Sequence, residues 1–168
     1  MLRPAAFALL LAAMLVQPVA AATLTFVVGL TGDQEVDASG NPGQGDPDGF
    51  GVATLTIDDV ALTIAWVIQV ANIDTVGAAH LHNAVAGSNG QIRVDFSGQL
   101  TGSGLVDPDL AAVVANPDQW YVNVHTAAFP AGAIRGQLCD PIRVVPEPTT
   151  LALLAAVAGF AALVRRSA

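Results

Sequence analysis

Apolar and polar residues alternate along this chain in short runs separated by turn residues, a pattern of strands. Thr23 to Leu30 (TLTFVVGL) is rich in β-branched residues and reads as the first. Gly51 to Ile57 (GVATLTI) alternates, Asp58-Asp59 marks a turn, and Ala61 to Val70 (ALTIAWVIQV) follows. Leu62, Ile64, Trp66 and Ile68 share one face of that strand, and the two runs predict a hairpin with Trp66 in the core. Val76 to Asn83 is a short strand, Ala86 to Gly90 (AGSNG) turns, and Gln91 to Phe96 (QIRVDF) alternates again. Gly98 to Val106 is a strand weakened by glycine and placed near a sheet edge. Trp120 to Leu138 (WYVNVHTAAFPAGAIRGQL) predicts a second hairpin cornered at Phe129-Pro130-Ala131-Gly132. In it Tyr121, Asn123 and His125 point one way, Val122, Val124 and Thr126 the other. Between the hairpins, Asp107 suits an N-cap, Pro108 the first helical position, and Asn116-Pro117 a stop. The sum is an all-β, antiparallel β-sandwich or barrel with one short helix.

The two ends break the pattern. Arg3, an apolar run from Ala5 to Val16, and the small residues Val19 to Ala22 form a secretory signal peptide over residues 1–22, cleaved after Ala21 or Ala22. Signal peptidase is the partner this implies. At the other end, Val145-Pro146-Glu147-Pro148 precedes an apolar run from Leu151 to Val164 and then Arg165-Arg166. As a helix, that run would rise only about 21 Å, short of the ~30 Å hydrocarbon core. It would tether the domain weakly, with the arginines on the cytoplasmic side. Residues 23–144 are left as one domain.

Within that domain thirteen acids face three arginines, and the chain has no lysine. Such a surface repels nucleic acid and anionic lipid. Cys139 is the single cysteine, so no intrachain disulfide forms, and a small buried or semi-buried apolar role is expected ahead of an intermolecular bridge. Asp33, Glu35, Asp37, Asp46 and Asp48 crowd the polar segment from Thr31 to Gly49. They could be a calcium loop, but the spacing is not that of an EF-hand, and a solvated loop is preferred.

The three histidines fall in two strands. His80 and His82 share one strand face opposite Leu81, and His125 faces away from Val122 and Val124. All three belong on the outer face of the sheet. If their strands are neighbours the imidazoles converge, a donor set suited to copper or zinc, with Asn123 and Arg135 as supporting residues. The alternative is structural. There the histidines and Asn123 hydrogen-bond to loop backbone, and Arg135 pairs with an acid such as Asp95 or Asp140. That account is preferred. No nucleophile elbow, phosphate loop or Cys-x-x-Cys is present, so no enzyme is expected.

Two resemblances add to this reading. The tail, with Val145, Pro146, Glu147, Pro148, the apolar run, Arg165 and Arg166, resembles the PEP-CTERM sorting signal of Gram-negative bacteria. That implies recognition by an exosortase, transient anchoring in the inner membrane through residues 151–164, and delivery to the cell surface or matrix. Such proteins accompany exopolysaccharide production and biofilm formation. The middle resembles the CHRD domain, through Leu30-Thr31-Gly32, Glu35-Val36, Gly51 to Leu55, Ala79 to His82, Ala86 to Gly90, Tyr121 to Thr126 and Ile134 to Leu138. A longer Gly/Asp loop follows Glu35-Val36 in place of the family's prolines. This resemblance implies fold and location: a sandwich of immunoglobulin-like or Cu/Zn superoxide dismutase-like form, with a structural, adhesive or binding role and matrix components such as exopolysaccharide as partners. The histidine arrangement is similar to the copper half of Cu/Zn superoxide dismutase, without its bridging ligand and zinc half, and Arg135 would be the nearby cation.

Overall fold

In the computed structural model, residues 21–145 are described; most of the signal peptide and of the sorting tail, residues 1–20 and 146–168, lies outside them. The described chain is antiparallel β with one short α-helix. Its strands are β1 (Thr23–Thr31), β2 (Phe50–Asp58), β3 (Thr63–Ala71), β4 (Val76–Asn83), β5 (Gln91–Asp95), β6 (Thr101–Val106), β7 (Trp120–Thr126), β8 (Ile134–Gln137) and β9 (Ile142–Val144). The helix is α1 (Leu110–Ala115). Among the described residues no helix is long and apolar enough to cross a membrane.

The strands form one sheet in the order β5-β4-β7-β8-β1-β2-β3-β6, with β9 on the far end of β1. The link between its halves is thin: β8 meets β1 at a single pair, Arg135 with Thr31. There the sheet curls into a half-barrel, the form that the predicted sandwich or barrel takes. Period-2 alternation decides what fills the curl. Leu24, Phe26, Val28 and Leu30 of β1 and Leu55 and Ile57 of β2 point in, meeting Leu81, Val94, Val122 and Val124 from the other half in one cluster. Each such side chain contributes roughly 1.5–3 kcal/mol by leaving water. Trp66 of β3 stacks on Phe96 just past β5, ring centroids 4.7 Å apart, and closes the curl. Trp66 is core, as expected; its Nε1 donates to the Gln99 carbonyl at 2.8 Å. A side chain at Gly102 of β6 would run into the Trp66 ring, so only glycine lets that strand lie against β3. The glycine that weakens β6 is thus required, and β6 is indeed an edge.

Two local expectations need correction. The first turn after Asp107 closes through tight bonds, Leu110 N–H to the Asp107 carbonyl and Ala111 N–H to that of Pro108. The α-helix therefore begins only at Leu110, although the Asp107 carboxylate does accept the Asp109 N–H at 2.9 Å. Cys139 is exposed, not semi-buried. Leu138 takes the last inward position and the chain then leaves the sheet.

Candidate metal centre

Strands β4 and β7 are neighbours, with Ala78 opposite His125, His80 opposite Asn123, and His82 opposite Tyr121. This register sets all three imidazoles on one patch. One nitrogen from each of His80, His82 and His125 lies within 4.8 Å of the others. Ring centroids are 5.0 Å apart for His80 and His125, 5.6 Å for His80 and His82, and 5.9 Å for His82 and His125. A shift of register between Leu81 and His82 in the pairing with β5 bends β4 at this point.

The patch is on the outer face, as predicted, but it is not open. Three loops cover it, so His82 is buried and His80 and His125 are half-buried. The turn from Val85 to Gly90 is one cover: His82 Nδ1 lies 3.0 Å from the Gly90 carbonyl oxygen. The corner after β7 is another, with His125 Nδ1 3.2 Å from the Pro130 carbonyl and Asn123 Nδ2 donating to the Ala131 carbonyl at 3.4 Å. The third is the polar segment after β1, tied down where Asn89 Nδ2 donates to the Val36 and Asp37 carbonyls.

A carbonyl only accepts, so His82 and His125 carry their protons on Nδ1. Each then presents a bare Nε2. His80 is turned the other way: its Nε2 lies 3.6 Å from Asp95 Oδ1. The three remaining nitrogens, His80 Nδ1, His82 Nε2 and His125 Nε2, are buried and have no hydrogen-bond partner among the described residues. For His82 and His125, one ring nitrogen bonded to a carbonyl and the other free toward a shared point is the arrangement of metal-ligating histidines, and His80 differs only in facing a carboxylate at ion-pair distance. Electrostatics agree. Burial depresses the pKa of His82 to about 4, with its neighbours His80, His125 and Arg135 adding to the effect against the Gly90 bond. Burial also lowers His80 and His125. The imidazoles are neutral at neutral pH, the state a metal requires.

The supporting residues are placed differently from expectation. Arg135 is 1% exposed and pairs with neither Asp95 nor Asp140. Its Nη1 reaches Asn89 Oδ1 at 3.4 Å, its Nη2 the Val85 carbonyl at 3.3 Å, and its guanidinium lies 3.4 Å from the centre of the Tyr121 ring. Tyr121 in turn stacks on His82 at 4.8 Å and accepts the Gly90 N–H on its hydroxyl. Arg135 thus reaches the histidines through an aromatic ring, and Asp95 serves His80 instead.

Sequence reasoning missed Glu35. It is 3% exposed, and burial raises its pKa to about 7 against the pull of Arg135. A side chain at Gly132 (φ +149) would collide with Glu35 Oε1 and Asn123 Oδ1, neither of which has a partner among the described residues. The one signal that sets Glu35 apart from the four aspartates of its loop is its place in the Glu35-Val36 pair of the CHRD resemblance, and that pair does not tell that the side chain is buried. Those aspartates form no metal-holding group among the described residues. Asp37 accepts the Ser39 and Asn41 N–H groups and the Asn41 side chain, which lower its pKa.

Residues 26–138 match the CHRD domain family, and residues 144–166 match the PEP-CTERM protein-sorting motif. No curated protein and no solved structure matches the chain.

Proposed function

The chain belongs to the CHRD domain family and carries an exosortase sorting motif that marks it for export to the cell surface, and from there we propose that its domain binds one copper or zinc ion through His80 Nδ1, His82 Nε2 and His125 Nε2. One observation carries the reading: three buried imidazole nitrogens without partners share a patch, while the other nitrogens of His82 and His125 are bonded to the Gly90 and Pro130 carbonyls and that of His80 faces Asp95 at 3.6 Å. A three-nitrogen set suits copper and zinc alike and leaves a coordination position open. Asp95 would orient His80, and the carbonyls the other two. The role is binding rather than catalysis, exercised at the surface of a Gram-negative bacterium, and structural or adhesive service to matrix polysaccharide rests on that location.

The structural account of the histidines keeps one observation in its favour: the bonds to Gly90 and Pro130 tie two loops to the sheet. Elemental analysis separates the two. Protein dialysed against copper or zinc should retain about one ion per chain, and His80→Ala should lose it. Equal metal content in wild type and His80→Ala, with His125→Ala only less stable, would leave the structural account standing.

A further inference from the structure

The start of β1 lies beside the end of β9, with Thr23 opposite Val144 on one side and Asp58 on the other. Asp59, in the turn after β2, joins these ends. Its Oδ1 accepts the Ala22 N–H at 2.7 Å, its own N–H donates to the Ala22 carbonyl at 3.2 Å, and its Oδ2 lies 3.3 Å from Arg143 Nη1 of β9. Ala22 is 2% exposed and belongs to the core cluster, whereas Ala21 is only half-buried. By sequence alone two bonds suit a signal peptidase, the one after Ala21 and the one after Ala22, because small residues precede both. The fold separates them. Cleavage after Ala22 would discard a core side chain and both of its bonds to Asp59. Cleavage after Ala21 keeps them and turns the Ala22 amide nitrogen into a primary amine in the same place.

We infer that the mature chain begins at Ala22 and that Asp59 is the seat of its new α-ammonium, so that export processing completes an ion-pair network of Ala22, Asp59 and Arg143. Water adds across the Ala21–Ala22 peptide bond. Its oxygen stays on Ala21, which leaves as a carboxylate, and its two protons go to the Ala22 nitrogen, which becomes an ammonium. Before cleavage the short bond to Asp59 has one ionised partner, and afterwards both partners are ions. Asp59 then holds one cation at the start of the chain and one on β9, a strand of three exposed residues directly before the sorting tail. The charged groups on the elements packed against this nitrogen are Asp58, Asp59 and Arg143. Asp58 is turned to the Val60 and Ala61 N–H groups, and Arg143 opposes the ammonium from the far oxygen of Asp59. The nearer carboxylate oxygen decides the sign and favours the charged amine.

The chain has no lysine, so the α-amine is its single primary amine, and an acetylating reagent reads it alone. The full chain, exported by its own signal and purified in detergent, should show by N-terminal sequencing a start at Ala22. Acetylation at pH 8 should run at least tenfold slower than in urea, and its rate against pH should have a midpoint above the ordinary α-amine value of about 8. Asp59→Asn should bring that midpoint back to about 8 or lower. Arg143→Gln should move it further up, because Asp59 then serves one cation. Arg143 is half exposed, so this second variant carries the test should Asp59→Asn fail to fold. A start at Met1 or Thr23, acetylation within twofold of the urea rate, a midpoint at or below about 8, or a midpoint unmoved by Arg143→Gln and by folded Asp59→Asn would overturn the assignment. An amine that is merely buried would react slowly with a lowered midpoint, and that outcome also counts against it.

Discussion

The two halves of the curled sheet share one core and differ on their outer faces. On β1, β2 and β3 the outer face is open: Val27, Val52 and Val67 are exposed among threonines, and no loop of the described residues buries them. On β4, β7 and β8 the outer face is covered. Six of the seven residues of β7 are buried, where the corresponding pattern on β2 alternates. Every buried polar side chain of the described residues except Thr126 lies under that cover: Glu35, His82, Asn123 and Arg135. The comparison teaches where this fold can hold chemistry. A face open to water gives imidazoles ordinary pKa values and loose rotamers. A face sealed by loops lowers the pKa values, fixes the tautomers and leaves bare nitrogens aimed at each other.

The largest expected effect tests whether the cover is a packed layer. Tyr121→Ala removes a ring held between the Arg135 guanidinium and the His82 imidazole, and with it the acceptor for the Gly90 N–H. Denaturation followed by the fluorescence of buried Trp66 and Trp120 should show a loss of roughly 3–5 kcal/mol, as for a core aromatic. A loss below about 1 kcal/mol would mean that the cover contributes no packing and that β7 is in practice a one-sided strand.

Next comes Glu35. Its folded pKa lies near 7 against a reference of 4.5, so the folded state holds a proton that the unfolded chain has released. The stability this proton supplies is complete below about pH 4.5 and is lost as pH rises through 7. Glu35→Gln copies the protonated form and should gain up to about 3 kcal/mol over wild type at pH 8 while matching it at pH 4.5. Identical pH profiles for the two proteins would place the Glu35 carboxylate in water.

The same contrast explains what could be read without coordinates. The strands were legible because one buried face writes a period of two: TLTFVVGL, GVATLTI and YVNVH each declare it. The meeting of the histidines was legible too, since His-x-His fixes a face and a strand beside it need only supply His125. What covers that face was not legible. Gly, Pro and Asp announce that the segment from Thr31 to Gly49 turns, but not that it folds back so that Asn89 can hold it at Val36 and Asp37. Glu35 therefore looked solvated. Arg135 looked like the partner of an acid because a cation in a strand of an acidic domain ordinarily is one. Its position opposite Asn123, under two loops, puts a tyrosine ring and a carbonyl there instead. Long-range loop placement carries no periodic signature in the chain.

The smallest effect belongs to the open face and bears on the comparison most directly. Val67 is 47% exposed and lies between Thr54 of β2 and Thr101 of β6 in a row across the sheet. Val67→Thr keeps the β-branch, so strand propensity is nearly unchanged, and the new hydroxyl reaches water or a threonine on either side. Stability should move by no more than about 0.5 kcal/mol in either direction. The same exchange at Val122, fully buried on the inner face of β7, should cost several times as much because its hydroxyl would enter the core without a partner. If Val67→Thr instead cost more than about 1.5 kcal/mol, the valine would have to be desolvated in solution. The uncharged threonine-valine face would then be covered by another molecule, and the two halves of the sheet would differ only in what covers them.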